Sequence, residues 1–208
     1  AETLREFEEL VALARAKQRL LQVGYMWRHN PGLNRAFEAA RQGWLGDVYL
    51  VRATMNTSLD ARRRPEWARF KGGAMFEQGS HLVDAVVRLL GAPAKITPFL
   101  QRRGGDDLAD NCVAVFEYPK AQAIITNSVL QPNAGPHRFL EILGTNGVAR
   151  VQPLEPPVLS ASVALTGFES ARRDSTARRT PRSRPRFRSI ALAPATTLRK
   201  PSLTMACA

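Results

Sequence analysis

Cysteine is nearly absent from these 208 residues: Cys112 stands in a strand-like run and Cys207 is the penultimate residue. Two thiols so placed make neither a disulfide framework nor a metal pattern, and a reducing cytosol is the simplest compartment for them. No apolar run approaches the ~18–20 residues that cross a bilayer. The opening "AETLREFEEL" lacks the basic stretch and apolar core of a signal peptide, and its start in mid-helix style reads as a fragment or a late start. No G-x-G-x-x-G follows a strand anywhere, so the chain offers no glycine-rich turn on which a pyrophosphate could sit.

Acidic residues are in short supply, with 18 against 30 Lys and Arg and a formal net charge of +12. Such a balance suggests nucleic acid or an acidic surface as partner. The excess is local, however. Residues 156–208 hold ten basic side chains and two acidic ones, whereas residues 1–155 hold 20 and 16. That terminal segment alternates Arg with Ser, Thr and Pro, shows no period and carries little to bury, so residues 158–208 read as a poorly ordered basic tail. It suits either a genuine tail or a GC-rich gene read in a shifted frame. Its two aromatics, Phe168 and Phe187, give single-stranded nucleic acid little to stack on, and any such binding would be weak and salt-dependent.

The periodic segments come earlier. Leu4, Phe7, Leu10, Val11 and Ala14 recur at helical spacing and predict a helix over Glu2–Lys17. The short apolar run Leu20–Trp27 reads as a buried strand. Pro31 opens a second helix that Gly43 and Gly46 end. "DVYLVRATMN" alternates as a half-buried strand, and "TSLDARRRPEWARFKGG" reads as a loop. Five further strand runs follow Gly91, at Lys95–Arg103, Asn111–Tyr118, Gln122–Leu130, Arg138–Leu143 and Val148–Val151, with "YPKA" and "GTNG" as tight turns. Helices first and a meander after them predict an α+β fold: a mainly antiparallel open sheet with helices on one face. The run Gln122–Leu130 is apolar on both faces, which predicts homo-oligomers, or aggregation where truncation has exposed the core.

Between loop and meander lies "GGAMFEQGSHLVDAVVRLLG", which puts Glu77, His81, Asp84 and Arg88 four, three and four residues apart, on one stripe of a helix. Such a row is usually a solvated face laced with i,i+4 pairs. Two features argue for a cleft: Gly72 and Gly73 let a backbone approach closely, and Gly79 interrupts the polar stripe.

The motifs "GYMWRHNP", "LGDVYLVRA", "GGAMFEQGSHLVDAV" and "LEILGTNGVARV", in this order over residues 1 to about 157, resemble the Gfo/Idh/MocA oxidoreductases, relatives of glucose–fructose oxidoreductase and inositol dehydrogenase. The resemblance implies three parts: residues 1–27 as the last helix and strand of a dinucleotide-binding Rossmann domain, 28–157 as the substrate and oligomerisation domain, and the tail. It implies hydride transfer between a sugar or polyol hydroxyl and NAD or NADP in a full-length parent. His81 matches the family's catalytic histidine, and Glu77 stands where the family keeps an Asp that pairs with it. Asp84, Lys71 and Trp67 become candidates for the substrate, Arg28 and Tyr25 for the cofactor, and no metal is called for. Each has a plainer reading: helix-surface acid, solvated lysine, packing ring, salt bridge and core ring. His29 and His137 read as structural or surface residues. Because the family's Glu-Lys-Pro motif and glycine loop are absent, the chain alone is expected to bind no NAD(P). A non-catalytic relic or assembly module, and weak nucleic-acid binding through the tail, stand as the competing functions.

Overall fold

The computed structural model describes residues 3–164 and 187–191. Helix α1, Leu4–Ala16, starts at a capping box in which Thr3 Oγ1 accepts from the Glu6 amide and Glu6 accepts from the Thr3 amide. It buries none of its residues, and its apolar stripe of Leu4, Phe7, Leu10 and Leu13 is exposed. The strand expected at Leu20–Trp27 does not form. Leu20, Leu21 and Val23 are exposed, and a 3₁₀ turn, Met26–His29, occupies the end of the run. A strand needs a neighbour for its N–H and C=O groups, and among the described residues none pairs with this one.

Helix α2, Pro31–Arg41, begins where Asn30 Oδ1 accepts from the Leu33 amide and Pro31 supplies the first helical position. Its inner face of Leu33, Ala36 and Phe37 is fully buried. The stretch read as a loop after strand β1 (Val48–Thr54) contains a short helix, α3, Arg64–Ala68. Helix α4, Ser80–Leu90, follows a single π turn at Met75–Gly79 and buries Leu82, Ala85 and Val86.

The sheet then takes β2 (Lys95–Gln101), β3 (Asn111–Glu117), β4 (Gln122–Ser128), β5 (Phe139–Gly144), β6 (Gly147–Leu154), β7 (Pro157–Ala164) and β8 (Phe187–Ala191), in the order β2-β3-β4-β1-β5-β6-β7-β8. Six neighbouring pairs are antiparallel; β1 with β4 is parallel. The expected α+β sheet with helices on one face is present. The segment from residue 158 is corrected in part: "VLSASVA" extends the sheet against β6, with Leu159 buried and Ala161 and Val163 packed on the core. The Arg-rich composition farther on hid this alternation. The rest of the predicted tail, residues 165–186 and 192–208, lies outside the described residues.

One sheet face makes the core. Val51 and Ala53, Ile125, Leu140 and Ile142, and Ala149 and Val151 meet Leu33 and Phe37 of α2 and Leu82 and Val86 of α4. Among the described residues no helix covers the other face. It carries a half-buried apolar band of Leu50, Val113, Val115, Ile124 and Leu143, continued by the exposed Phe99, beside Glu141 held between Arg52 and Arg150.

Phe37→Ala should lower the unfolding free energy by about 3–5 kcal/mol, because the sheet cannot collapse into the void. Leu13→Ala, on the uncovered stripe of α1, should change it by less than about 0.5 kcal/mol. Urea unfolding of both variants checks the pair, and equal losses would contradict this division of the core.

Candidate active site

The turn before α4 is fixed by backbone geometry. Gly73 has φ +52°, and a Cβ there would lie 2.6 Å from the carbonyl oxygen of Ala109. The Ala74 amide donates to that same oxygen at 3.1 Å. The glycine pair therefore admits the chain's own backbone at this point. The π turn that follows inserts an extra residue between Glu77 and the regular part of the helix. α-helical spacing consequently does not carry from Glu77 to His81. Glu77 is exposed and makes no hydrogen bond or ion pair among the described residues, so the expected Glu77–His81 pair is not formed.

His81 is half-buried and is held by rings instead. Tyr25 meets it edge-on, with centroids 5.9 Å apart, and Trp27 lies tilted against it at 5.6 Å. Its Nδ1 is buried without a hydrogen-bond partner among the described residues. One turn on, Asp84 receives a two-pronged bond from Arg28, at 2.6 Å from Nη2 and 3.1 Å from Nε. That bond raises the Arg28 guanidinium above its ordinary value, and Arg28 also lies 5.5 Å over the Tyr25 ring. Arg88 reaches Asn34 at 3.3 Å and covers Phe37. The lower half of the stripe thus ties α4 to the segment 28–37, while its upper half borders a cavity.

That cavity, of about 680 Å³, lies between α1 and the start of α4. Tyr25, Glu77 and His81 line it together with Phe7, Leu10, Leu21, Val23 and Phe76. Arg28, Asp84, Lys71 and Trp67 are not in its lining, and neither Lys nor Arg is. Lys71 is exposed. Trp67 is buried among Ala74, Leu108 and Val129, beneath the turn that starts α4, so it packs the scaffold and stays out of this cavity. His29 and His137 are exposed. Of the predicted set, the structure brings three residues to one cavity, joins Arg28 to Asp84 beside it, and leaves Lys71 and Trp67 apart. Among the described residues, no group of His, Cys, Asp or Glu could hold a metal ion.

Sequence reasoning missed Trp27 and a clasp beneath the glycine turn. Asp110 is fully buried and accepts from Arg64 Nη2 and from the amides of Arg103 and Gly104, each at 3.0 Å. Arg64 also grips Asp106 with two bonds of 2.9 Å. The clasp fixes the loop that ends at Ala109, against which Gly73 rests. Its signals were an arginine inside "RRRPEW" and the acids of "GGDDLAD", but nothing local pairs residues 42 and 46 positions apart.

Comparison with known proteins places the chain beside dehydrogenases. The family model described as GFO/IDH/MocA C-terminal domain matches residues 33–150. The chain is 28% identical over 142 residues to "scyllo-inositol 2-dehydrogenase (NADP(+)) IolW" of Bacillus subtilis (strain 168), covering 64% of this chain and 38% of that protein. It is 26% identical over 150 residues to trans-1,2-dihydrobenzene-1,2-diol dehydrogenase of Bos taurus, covering 70% and 43%. In fold it is similar to an inositol dehydrogenase homolog from Azotobacter vinelandii complexed with NADH and myo-inositol, at TM-score 0.69 and 18% identity, covering 80% and 46%. The chain spans less than half the length of each of these three.

The clasp sets a pH dependence. Its hydrogen bonds from Arg64 hold the Asp106 carboxyl below its ordinary value. A carboxyl depressed on folding stabilises the fold above its unfolded pKa of about 3.9, and that contribution is lost as pH falls through the lower folded value. Stability should therefore fall on acidification below about pH 4, and Asp106→Asn should flatten that fall. Urea midpoints at low salt across this range are the check, and identical slopes in both proteins would contradict it.

Proposed function

Because the chain belongs to the GFO/IDH/MocA family, we propose that it supplies the substrate side and the acid–base group of an NAD(P)-dependent oxidoreductase acting on a sugar or polyol hydroxyl. The observation that carries this reading is His81: an imidazole at a cavity wall, clamped between two rings, with no carboxylate or backbone group bound to its Nδ1. A histidine so held can take the hydroxyl proton of an alcohol and return it in the reverse direction. Glu77, free on the same cavity, then serves as an acceptor for a substrate hydroxyl more readily than as an orienter of the imidazole. Arg28 and Tyr25 stay on the cofactor side. Asp84 acts through Arg28, Lys71 is the exposed cation available to a hydroxylated substrate, and Trp67 supports the glycine turn.

The cavity fits only part of a dinucleotide. Its apolar lining suits a flat ring, but it holds no Lys or Arg and no glycine-rich helix start for a pyrophosphate. A bound nicotinamide would supply the hydride acceptor for the alcohol carbon, while His81 holds the hydroxyl proton. What this chain contributes is the proton acceptor, the wall that excludes water and the frame that holds both.

The cofactor's phosphates would accordingly be held by a nucleotide-binding half outside these residues, and a cytosolic setting suits such a redox reaction. Calorimetry on the 208-residue chain should show no micromolar NAD or NADP affinity. The same chain joined to a nucleotide-binding half should bind the cofactor and oxidise a polyol or sugar. A joined protein that binds NAD(P) and oxidises neither would sink this reading.

The sheet face that no helix covers among the described residues supports self-association. Its apolar band runs across β2, β3, β4, β1 and β5, an arrangement that favours cover by a second copy. Sedimentation should show concentration-dependent oligomers that Ile124→Lys disperses. A monomer across the whole range would exclude this assembly.

A further inference from the structure

We infer that Glu155 is a positioning residue for the imidazole of His81, acting through the indole of Trp27; the role rests on the acid–base reading of His81. Trp27 is buried at 3% exposure in the main core, and its indole N–H must find an acceptor there. It donates to Glu155 Oε1 at 2.7 Å, across 128 residues of sequence. A carboxylate acceptor makes this a charge-assisted bond, stronger and more directional than a neutral one.

Glu155 is itself held. It sits in the turn between β6 and β7, and its other oxygen faces Arg138 Nη1 at 3.7 Å. Arg138 is three-quarters or more buried and is anchored by its Nε on the Asn56 carbonyl at 2.9 Å. The same turn is tied to the segment of Trp27 a second time, because Asn30 Nδ2 donates to the Leu154 carbonyl at 2.8 Å. Asn30 in turn caps α2.

On its far side the indole leans on His81, with ring centroids 5.6 Å apart and a tilt of 44°. Among the described residues nothing hydrogen-bonds the Nδ1 of His81. The device that usually fixes a working imidazole, a partner on its second nitrogen, is therefore missing. Ring contacts alone set the plane of this imidazole, and of its two rings only Trp27 has a hydrogen bond that fixes its own orientation from outside the site. The hairpin of β6 and β7 thereby sets the angle of a ring on α4.

The test is nuclear magnetic resonance of the isotope-labelled full chain, whose three histidines are few enough to assign. Glu155→Gln keeps an acceptor oxygen, and Glu155→Met keeps the length and loses it. With Gln, the Trp27 indole N–H and the His81 ring signals should stay near their original positions. With Met, both should move while His29 and His137 stay. His81 signals that do not move in a folded Met variant, or that move equally in both variants, overturn the proposal. Should the Met variant fail to fold, the Gln variant decides: an unmoved His81 ring supports the link and a displaced one overturns it. These signals need no turnover. A failure here leaves the acid–base reading standing, and loss of catalysis by other causes leaves the link between Glu155 and His81 in place.

Discussion

Two helices share one face of one sheet. Leu33 and Phe37 of α2, over β5, β6 and β7, and Leu82 and Val86 of α4, over β1 and β4, fill the same layer. Burying these side chains is worth roughly 1.5–3 kcal/mol each, which makes this layer the main support of the fold. The geometry of the site follows from it. With both helices seated on the sheet, Arg28 reaches Asp84 and Arg88 reaches Asn34 without further adjustment. The first turn of α4 then projects past the layer, and His81 emerges where the packing ends and the cavity begins.

The strands were legible because alternation survives on a half-buried sheet. β3 and β4 alternate buried and half-buried residues almost without exception, and the sequence carries the same pattern. The place of β1 was not legible. It lies between β4 and β5 through pairings about seventy and ninety residues away, which no local pattern encodes. The run Leu20–Trp27 misled because apolar residues signal burial only where a partner strand exists. The π turn at Met75–Gly79 is equally silent: its residues fit an α helix as well, and the extra residue shows only once Gly73 is pinned against Ala109.

The candidate site was half legible. Tyr25, Glu77 and His81 were singled out and do line one cavity, but Glu77, the carboxylate expected to orient the imidazole, makes no bond to it among the described residues. Aromatic contacts, and the hydrogen bond behind one of them, take its place. Asp84 was read either as a substrate ligand or as a structural helix-surface acid, and the structure joins it to Arg28 by a bidentate bond. The difference has one physical source. Spacing along a helix says which residues share a stripe, and the elements packed beside the stripe decide which of them stay free to react.

The central claim is that the row on α4 opens onto a reacting hydroxyl. The most direct measurement is turnover of His81→Ala in the chain joined to a nucleotide-binding half, with the folded fraction read on the same preparation. A positioned acid–base group contributes ~10²–10⁴ in rate, so turnover should fall by that factor while the melting transition barely moves. A variant that unfolds, yet retains full activity per folded molecule, would show the row to be scaffold.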